Sequence, residues 1–188
     1  NGTYLLLNAS YVSGNERFSE NGRNPELTKQ HRWLQFHAQY NQYFRLAPKY
    51  SLGVSAEGMY TLGGSNIMFS NYLATLLHAY NFAPIVELSQ NFIQEYRSFE
   101  FLSVGLQNIF HINKKLHLRA ECYIYQPIRE ICRDAYNKAY FGPYFDKRYL
   151  LASAGIVYHT PIGPISLMMN YRQQGRDQRQ QIFSVVGT

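Results

Sequence analysis

The chain has 188 residues, 18 Lys and Arg against 12 Asp and Glu, a formal charge of +6, 46% hydrophobic residues and 16% aromatics. That length holds one domain or a piece of a larger one, and the apolar content excludes a disordered tail. No apolar run approaches about 18 residues, which excludes a helical membrane span, and two cysteines, Cys122 and Cys132, exclude a disulfide scaffold or a CxxC zinc site.

The chain begins at Asn1 without an initiator Met or apolar leader, so it reads as processed or excised. From there a residue period of two dominates. Leu5, Leu7, Ala9 and Tyr11 alternate with Leu6, Asn8 and Ser10. From Arg32 to Phe44 the alternation is clearest: Leu34, Phe36, Ala38 and Tyr40 against Gln35, His37, Gln39 and Asn41. Period two sends such sets to opposite faces of a strand, one apolar and one polar. Leu52, Val54, Ala56 and Tyr60 repeat the pattern, then Leu102, Val104 and Leu106, then Leu116, Leu118, Ala120, Cys122 and Ile124. Ile165, Leu167, Met169 and Tyr171 follow it too, and the stretches 148–159 and 181–187 are strand-like with their facing open. The sum is eight strands of about ten residues, the length a tilted strand needs to cross a hydrocarbon core. Soluble strands average about five or six residues.

Tight turns are predicted at Ala47-Pro48-Lys49, Asn113-Lys114-Lys115 and Pro161-Ile162-Gly163. The other connections, 13–30, 62–95, 127–147 and 173–179, are long. Short and long alternate, as in transmembrane barrels with short periplasmic turns and long outer loops. Tyr11, Tyr43, Phe44, Tyr50, Tyr60, Tyr125, Tyr149, Tyr158 and Tyr171 fall near strand ends. They fit an interfacial girdle, although Tyr and Phe favour strands anywhere. The basic balance fits an anionic partner, either nucleic acid or the phosphate-rich bacterial outer-membrane surface. Its densest cluster, Arg172, Arg176 and Arg179 among glutamines, forms no basic run or zinc-finger spacing, which argues against nucleic acid.

No GxSxG, P-loop, HExxH or GxGxxG is present. His31, His37, His78, His111, His117 and His159 show no metal-ligand spacing, and His37 and His117 fall on polar strand faces. No catalytic residue, cofactor or metal is therefore expected in this chain. Cys122 lies on an apolar strand face and Cys132 in the following loop, which favours two free thiols over a disulfide.

The connection over about 62–97 is the longest. Ser70-Asn71 predicts the cap of a short helix with Leu73, Leu76, Leu77 and Tyr80 on one face, ended by Asn81 and Pro84. A loop this long either carries function or packs back into the structure. If it enters a lumen, Arg97 needs a partner, and Glu121 on the polar face of the fifth strand is the candidate. The alternative is an exposed Arg97 beside a solvated Glu121.

The order of elements carries a resemblance. A long loop, a strand at Tyr96-Arg97-Ser98-Phe99-Glu100-Phe101, a strand at 116–125, a hairpin at 150–171 and a last strand ending Val185-Val186-Gly187-Thr188 follow one another. This resembles the C-terminal barrel half of the bacterial surface-antigen superfamily, which includes barrel-assembly-machinery proteins, two-partner secretion transporters and patatin-fused phospholipases. Arg97-Ser98-Phe99 resembles that family's Arg-Gly-aromatic motif, which tucks into the barrel, with Ser in place of Gly. The family's acidic partner would correspond to Glu121. Thr160-Pro161-Ile162-Gly163-Pro164 is similar to the turn before the penultimate strand. The stretches 70–77, 120–131 and 155–167 look like the patatin-like phospholipases of Bacteroidota. The resemblance implies strands nine to sixteen of a barrel of about sixteen. The chain stops at Thr188 without the terminal aromatic of the family's assembly signal, which implies a few residues beyond it.

The expected fold is thus all-β. It is a transmembrane antiparallel β-barrel with eight strands over 1–188, the second half of a larger barrel, with a lumen-inserting loop at about 62–97. The expected function is an outer-membrane module of the bacterial cell that anchors an attached domain or partner, with a part in translocating or assembling it. Expected partners are outer-membrane lipid and lipopolysaccharide, the rest of the barrel, an upstream domain and an envelope protein complex. Two alternatives stand beside this. One is the barrel of a patatin-like phospholipase whose catalytic domain lies upstream. The other is a complete eight-stranded barrel. A soluble sandwich also accommodates alternating strands.

Overall fold

The computed structural model describes residues 2–18, 27–174 and 178–187. Its elements in chain order are β1 (Gly2–Phe18), β2 (Leu27–Ala47), β3 (Tyr50–Leu62), α1 (Tyr72–His78), β4 (Tyr80–Asn81), α2 (Val86–Gln90) and β5 (Arg97–Ser98). Then come β6 (Phe101–His111), β7 (Leu116–Pro127), β8 (Arg129–Arg133), β9 (Ala139–Tyr144), β10 (Tyr149–His159), β11 (Pro164–Gln174) and β12 (Gln178–Gly187). The fold is all-β. One eight-stranded antiparallel sheet runs in the order β1-β2-β3-β6-β7-β10-β11-β12, and β4/β5 and β8/β9 form two small ladders outside it.

Alternation decides which side each residue takes. On β6, Leu102, Val104 and Leu106 are exposed, while Phe101, Ser103, Gly105 and Gln107 are buried. Cross-strand partners share a face, so the register carries this division across the sheet. Leu102 pairs with Gly58, and Val104 pairs with Ala56 and Ile124. Leu5, Leu7, Phe36, Tyr40, Leu118, Ile156, Leu167 and Met169 are exposed on the same apolar face. The opposite face carries His37, Glu57, Ser103, Gln107, Glu121, Ser153 and Asn170. The facing of 148–159, open in the sequence, is set by pairing: Leu150, Ala152 and Ala154 lie opposite Ile124, Cys122 and Ala120.

The long connection folds over the polar face. Phe82, Ile85, Leu88, Ile93 and Tyr96 from the loop form one buried cluster with Met59, Phe101, Tyr123, Tyr125, Tyr149 and Leu151 from the strands. Phe82 stacks on Tyr125 at 4.8 Å between centroids. A second cluster joins Ile67, Leu76, Ala79 and Phe99 to Trp33 and Ile131. Removing a buried aromatic such as Phe82 would leave a cavity worth about 3–5 kcal/mol.

Several expectations are corrected here. Strands β1 and β2, 17 and 21 residues long, fill most of the expected 13–30 loop. Likewise β11 reaches Gln174 and β12 starts at Gln178, so little of the expected 173–179 loop remains, and 175–177 lie outside the described residues. The connection after β7 contains the β8/β9 hairpin. Tyr43, Tyr125 and Tyr149 belong to the covered polar face rather than to a girdle; Tyr43 donates its hydroxyl to Gln107 at 2.6 Å. The closed eight-stranded alternative is not what the ladder gives. Among the described residues β1 pairs only with β2 and β12 only with β11, so the sheet is open.

The three tight turns fall where expected, all at one end of the sheet. In the last one, the Thr160 amide donates to Gly163 O at 3.0 Å, and the Gly163 amide donates to Thr160 Oγ1 at 3.2 Å. Gly163 has φ 154°, an angle that a Cβ disfavours. Pro161 lacks an amide hydrogen, and Pro164 then opens β11 opposite His159.

Candidate functional site: the loop clamp on the polar face

Polar side chains at several points tie the loop to the sheet. The first is Glu16 on β1. It accepts from the Ser70 amide at 3.0 Å and the Ser70 hydroxyl at 3.1 Å, and it stands 3.1 Å from His31 Nε2. The other ring nitrogen of His31 lies 2.6 Å from Asn66 O. The loop then enters α1. Asn71 caps that helix by accepting from the Leu73 amide at 2.8 Å. The helix buries Thr75 and Leu76, while Leu73 and Leu77 are exposed and Tyr80 lies beyond it in β4. The predicted apolar face is therefore rotated, because Leu76 and Ala79 are the residues that meet Trp33, Ile67 and Phe99.

Tyr80 and Glu57 form the second tie. The Tyr80 hydroxyl donates to Glu57 at 2.8 Å, and His37 Nε2 lies 3.0 Å from the same carboxylate oxygen. Burial, with the Glu57 hydrogen bond, pushes the Tyr80 phenol well above its ordinary value. The third tie is the ion pair Glu87–Arg172, at 3.3 Å. Burial raises the Glu87 carboxyl, against the opposing pull of Arg172. Just beyond the loop, Glu100 before β6 and Arg129 of β8 form a forked pair. Arg129 Nε and Nη2 donate to Glu100 at 2.9 and 2.6 Å, and the guanidinium stacks 3.9 Å from the Phe141 ring. Outside the loop, Glu130 holds Lys147 at 2.6 Å and accepts from the Tyr149 hydroxyl.

The predicted loop motif is partly drawn together. Arg97 Nη1 donates to Leu76 O at 3.3 Å and Ala79 O at 3.5 Å, and the guanidinium covers the Phe92 ring at 4.5 Å. Burial lowers its pKa. Ser98 Oγ donates to Glu100 O at 2.8 Å, and Phe99 is fully buried beside Trp33. Glu121 takes other partners. It accepts from Arg119 at 2.9 Å and from the Tyr123 hydroxyl at 2.8 Å. The expected Arg97–Glu121 pair is corrected accordingly. Arg97 is drawn to the Leu76 and Ala79 carbonyls at the end of α1, and Glu121 has a nearer cation on its own strand. Thr160, Pro161, Gly163 and Pro164 form their turn at the opposite end from the loop.

Two recesses flank the loop on the polar face. One, of about 280 Å³, is lined by Gln39, Asn41, Glu57, Tyr80, Ser103 and Gln107. The other, of about 320 Å³, is lined by Pro84, Arg119, Glu121, Ser153, Met168 and Asn170. Their chemistry is hydrogen bonding and packing. Among the described residues no three His, Cys, Asp or Glu side chains are grouped as metal ligands. Cys122 is exposed on the apolar face, and both thiols are free.

Comparison of the chain with protein-family models, with curated proteins and with solved structures finds no match.

Sequence reasoning missed Glu87, Arg172, Glu100 and Arg129. For Glu87 the one local signal was its type: a Glu inside a loop otherwise rich in apolar residues has to find a cation once that loop is buried.

Proposed function

We propose that the chain is an outer-membrane barrel module that anchors an attached domain or partner and serves its passage or assembly, in the manner of the surface-antigen superfamily it resembles. The carrying observation is the division of the sheet. Its exposed face presents Leu5, Leu7, Phe36, Leu102, Val104, Leu106, Leu118, Ile156, Leu167 and Met169. A patch of this extent in water invites aggregation, whereas hydrocarbon satisfies it. The covered face carries carboxylates, hydroxyls and amides, which lipid would leave unpaired. Two further features support the reading. The β1 and β12 edges each have one partner among the described residues, which leaves them open to pairing with further strands. The loop fills the polar face, as an inward-folded loop of a large barrel would.

In this scheme apolar side chains meet lipid, the polar face lines a lumen, and the ion-paired loop braces it from within. The test is detergent dependence together with heat-modifiable gel mobility of the full chain. The proposal expects folding only in detergent or lipid, with a shift on boiling. A monomeric, folded protein in plain buffer overturns it.

A further inference from the structure

We propose that the short-turn end of the sheet is a collar for anionic phospholipid headgroups. This rests on the barrel reading above. The segments 42–53, 107–118 and 155–169 build that end, and none contains Asp or Glu. They carry Arg45, Lys49, Lys114 and Lys115, and the three lysines are exposed. Arg45 donates to Pro48 O at 3.1 Å. Asn113 shapes the second turn by accepting from the Lys115 and Leu116 amides, both at 2.8 Å. Across the neighbouring strands His111, His117 and His159 stand in a row, with centroids 5.8 and 5.0 Å apart. Every Asp and Glu of the chain lies outside these three segments.

The apolar face supplies the second observation. At this end it finishes in aromatics: Phe44, Phe110 and Tyr158 are exposed, and Tyr50 stacks on Phe110 at 4.8 Å. Aromatics of this kind sit at the boundary between hydrocarbon and headgroups. Each tight turn carries or adjoins one exposed aliphatic side chain: Leu46, Ile112 and Ile162, the last 96% exposed. Lysines next to such tips lie at phosphate depth, where they favour anionic over zwitterionic lipid. An acidic protein surface would complement the lysines, but the aromatic boundary beside them favours lipid.

Native mass spectrometry of the full chain in nanodiscs of equal phosphatidylcholine and phosphatidylglycerol tests this. The expected result is at least about threefold enrichment of retained phosphatidylglycerol, falling towards parity as salt screens the lysines. In Lys49→Gln/Lys114→Gln/Lys115→Gln the enrichment disappears while the heat-modifiable gel shift persists. Equal retention of the two lipids by the native protein overturns the collar, and so does enrichment unchanged in the triple variant. Should the native protein show no lipid preference yet bind fluorescein-labelled oligoglutamate through these lysines, the partner is an acidic protein and the lipid assignment falls. Failure to enter nanodiscs of any composition strikes the barrel reading instead.

Discussion

Glu87 in the loop helix α2 and Arg172 near the end of β11 stand 3.3 Å apart, with side chains only 4% and 11% exposed. A buried pair of this kind holds the long connection to one place on the sheet, because either charge alone in that site is costly. Arg172→Met would leave the carboxylate without its cation and should lower stability by about 3–5 kcal/mol. Glu87→Leu combined with Arg172→Met should restore most of that loss. Thermal unfolding of the single and double variants in detergent measures both. A double variant as unstable as Arg172→Met would show that the pair does not act as a unit.

Glu87 also gives the loop a pH response. Its carboxyl is raised by burial, so the folded state binds a proton more readily than the unfolded chain does. Where the folded state holds more protons, stability falls as pH rises through the interval between the ordinary and the raised value. The native protein should therefore gain stability from Glu87 as pH is lowered from neutrality towards the ordinary carboxylate range. Glu87→Gln, which cannot titrate, should lack that component. The difference between the two melting-temperature profiles isolates it, and parallel profiles would refute it.

Much of the sheet was legible because each central strand meets two different environments, and period two records that contrast. Leu34, Phe36 and Ala38 against Gln35, His37 and Gln39 is enough to orient β2. The same strand was unreadable beyond Arg32, where Lys29 and Gln30 continue it without an apolar face. The rotated face of α1 was hidden for another reason. Helical spacing groups Leu73, Leu76 and Leu77, but burial follows the partner, and Trp33 and Phe99 arrive from distant segments. The ion pairs were invisible for the same cause. Glu87 and Arg172 are joined only once the loop has folded back, and no local pattern encodes that.

Arg97 acts on the helix rather than on the sheet. Its guanidinium meets Leu76 O, which also accepts from the Ala79 amide, and Ala79 O just past the end of α1, and it covers Phe92. Arg97→Ala should cost about 1 kcal/mol or somewhat more through these contacts. Because Glu121 is engaged with Arg119 and Tyr123, the Arg97→Ala and Glu121→Gln effects should add within about 0.5 kcal/mol. A double-mutant cycle by thermal or denaturant unfolding measures this. A coupling well beyond that margin would restore the direct Arg97–Glu121 link.

Gly105 on β6 gives the sharpest packing prediction. It is the cross-strand partner of Tyr123, whose ring lies over it. A Cβ added at Gly105 would fall 2.2 Å from Tyr123 Cδ1 and 2.5 Å from Ser55 Oγ. The Tyr123 hydroxyl donates to Glu121 at 2.8 Å and accepts from Gln107 Nε2 at 2.7 Å, and Gln107 in turn accepts from Tyr43. Gly105→Ala must push that ring away and pull this chain of hydrogen bonds apart, at about 1–3 kcal/mol for overpacking alone. Pairing Gly105→Ala with Tyr123→Leu, which removes the ring, should relieve the clash and make the combined loss smaller than the sum of the two singles. Unfolding midpoints of the three variants decide it, and strict additivity would mean the ring does not rest on Gly105.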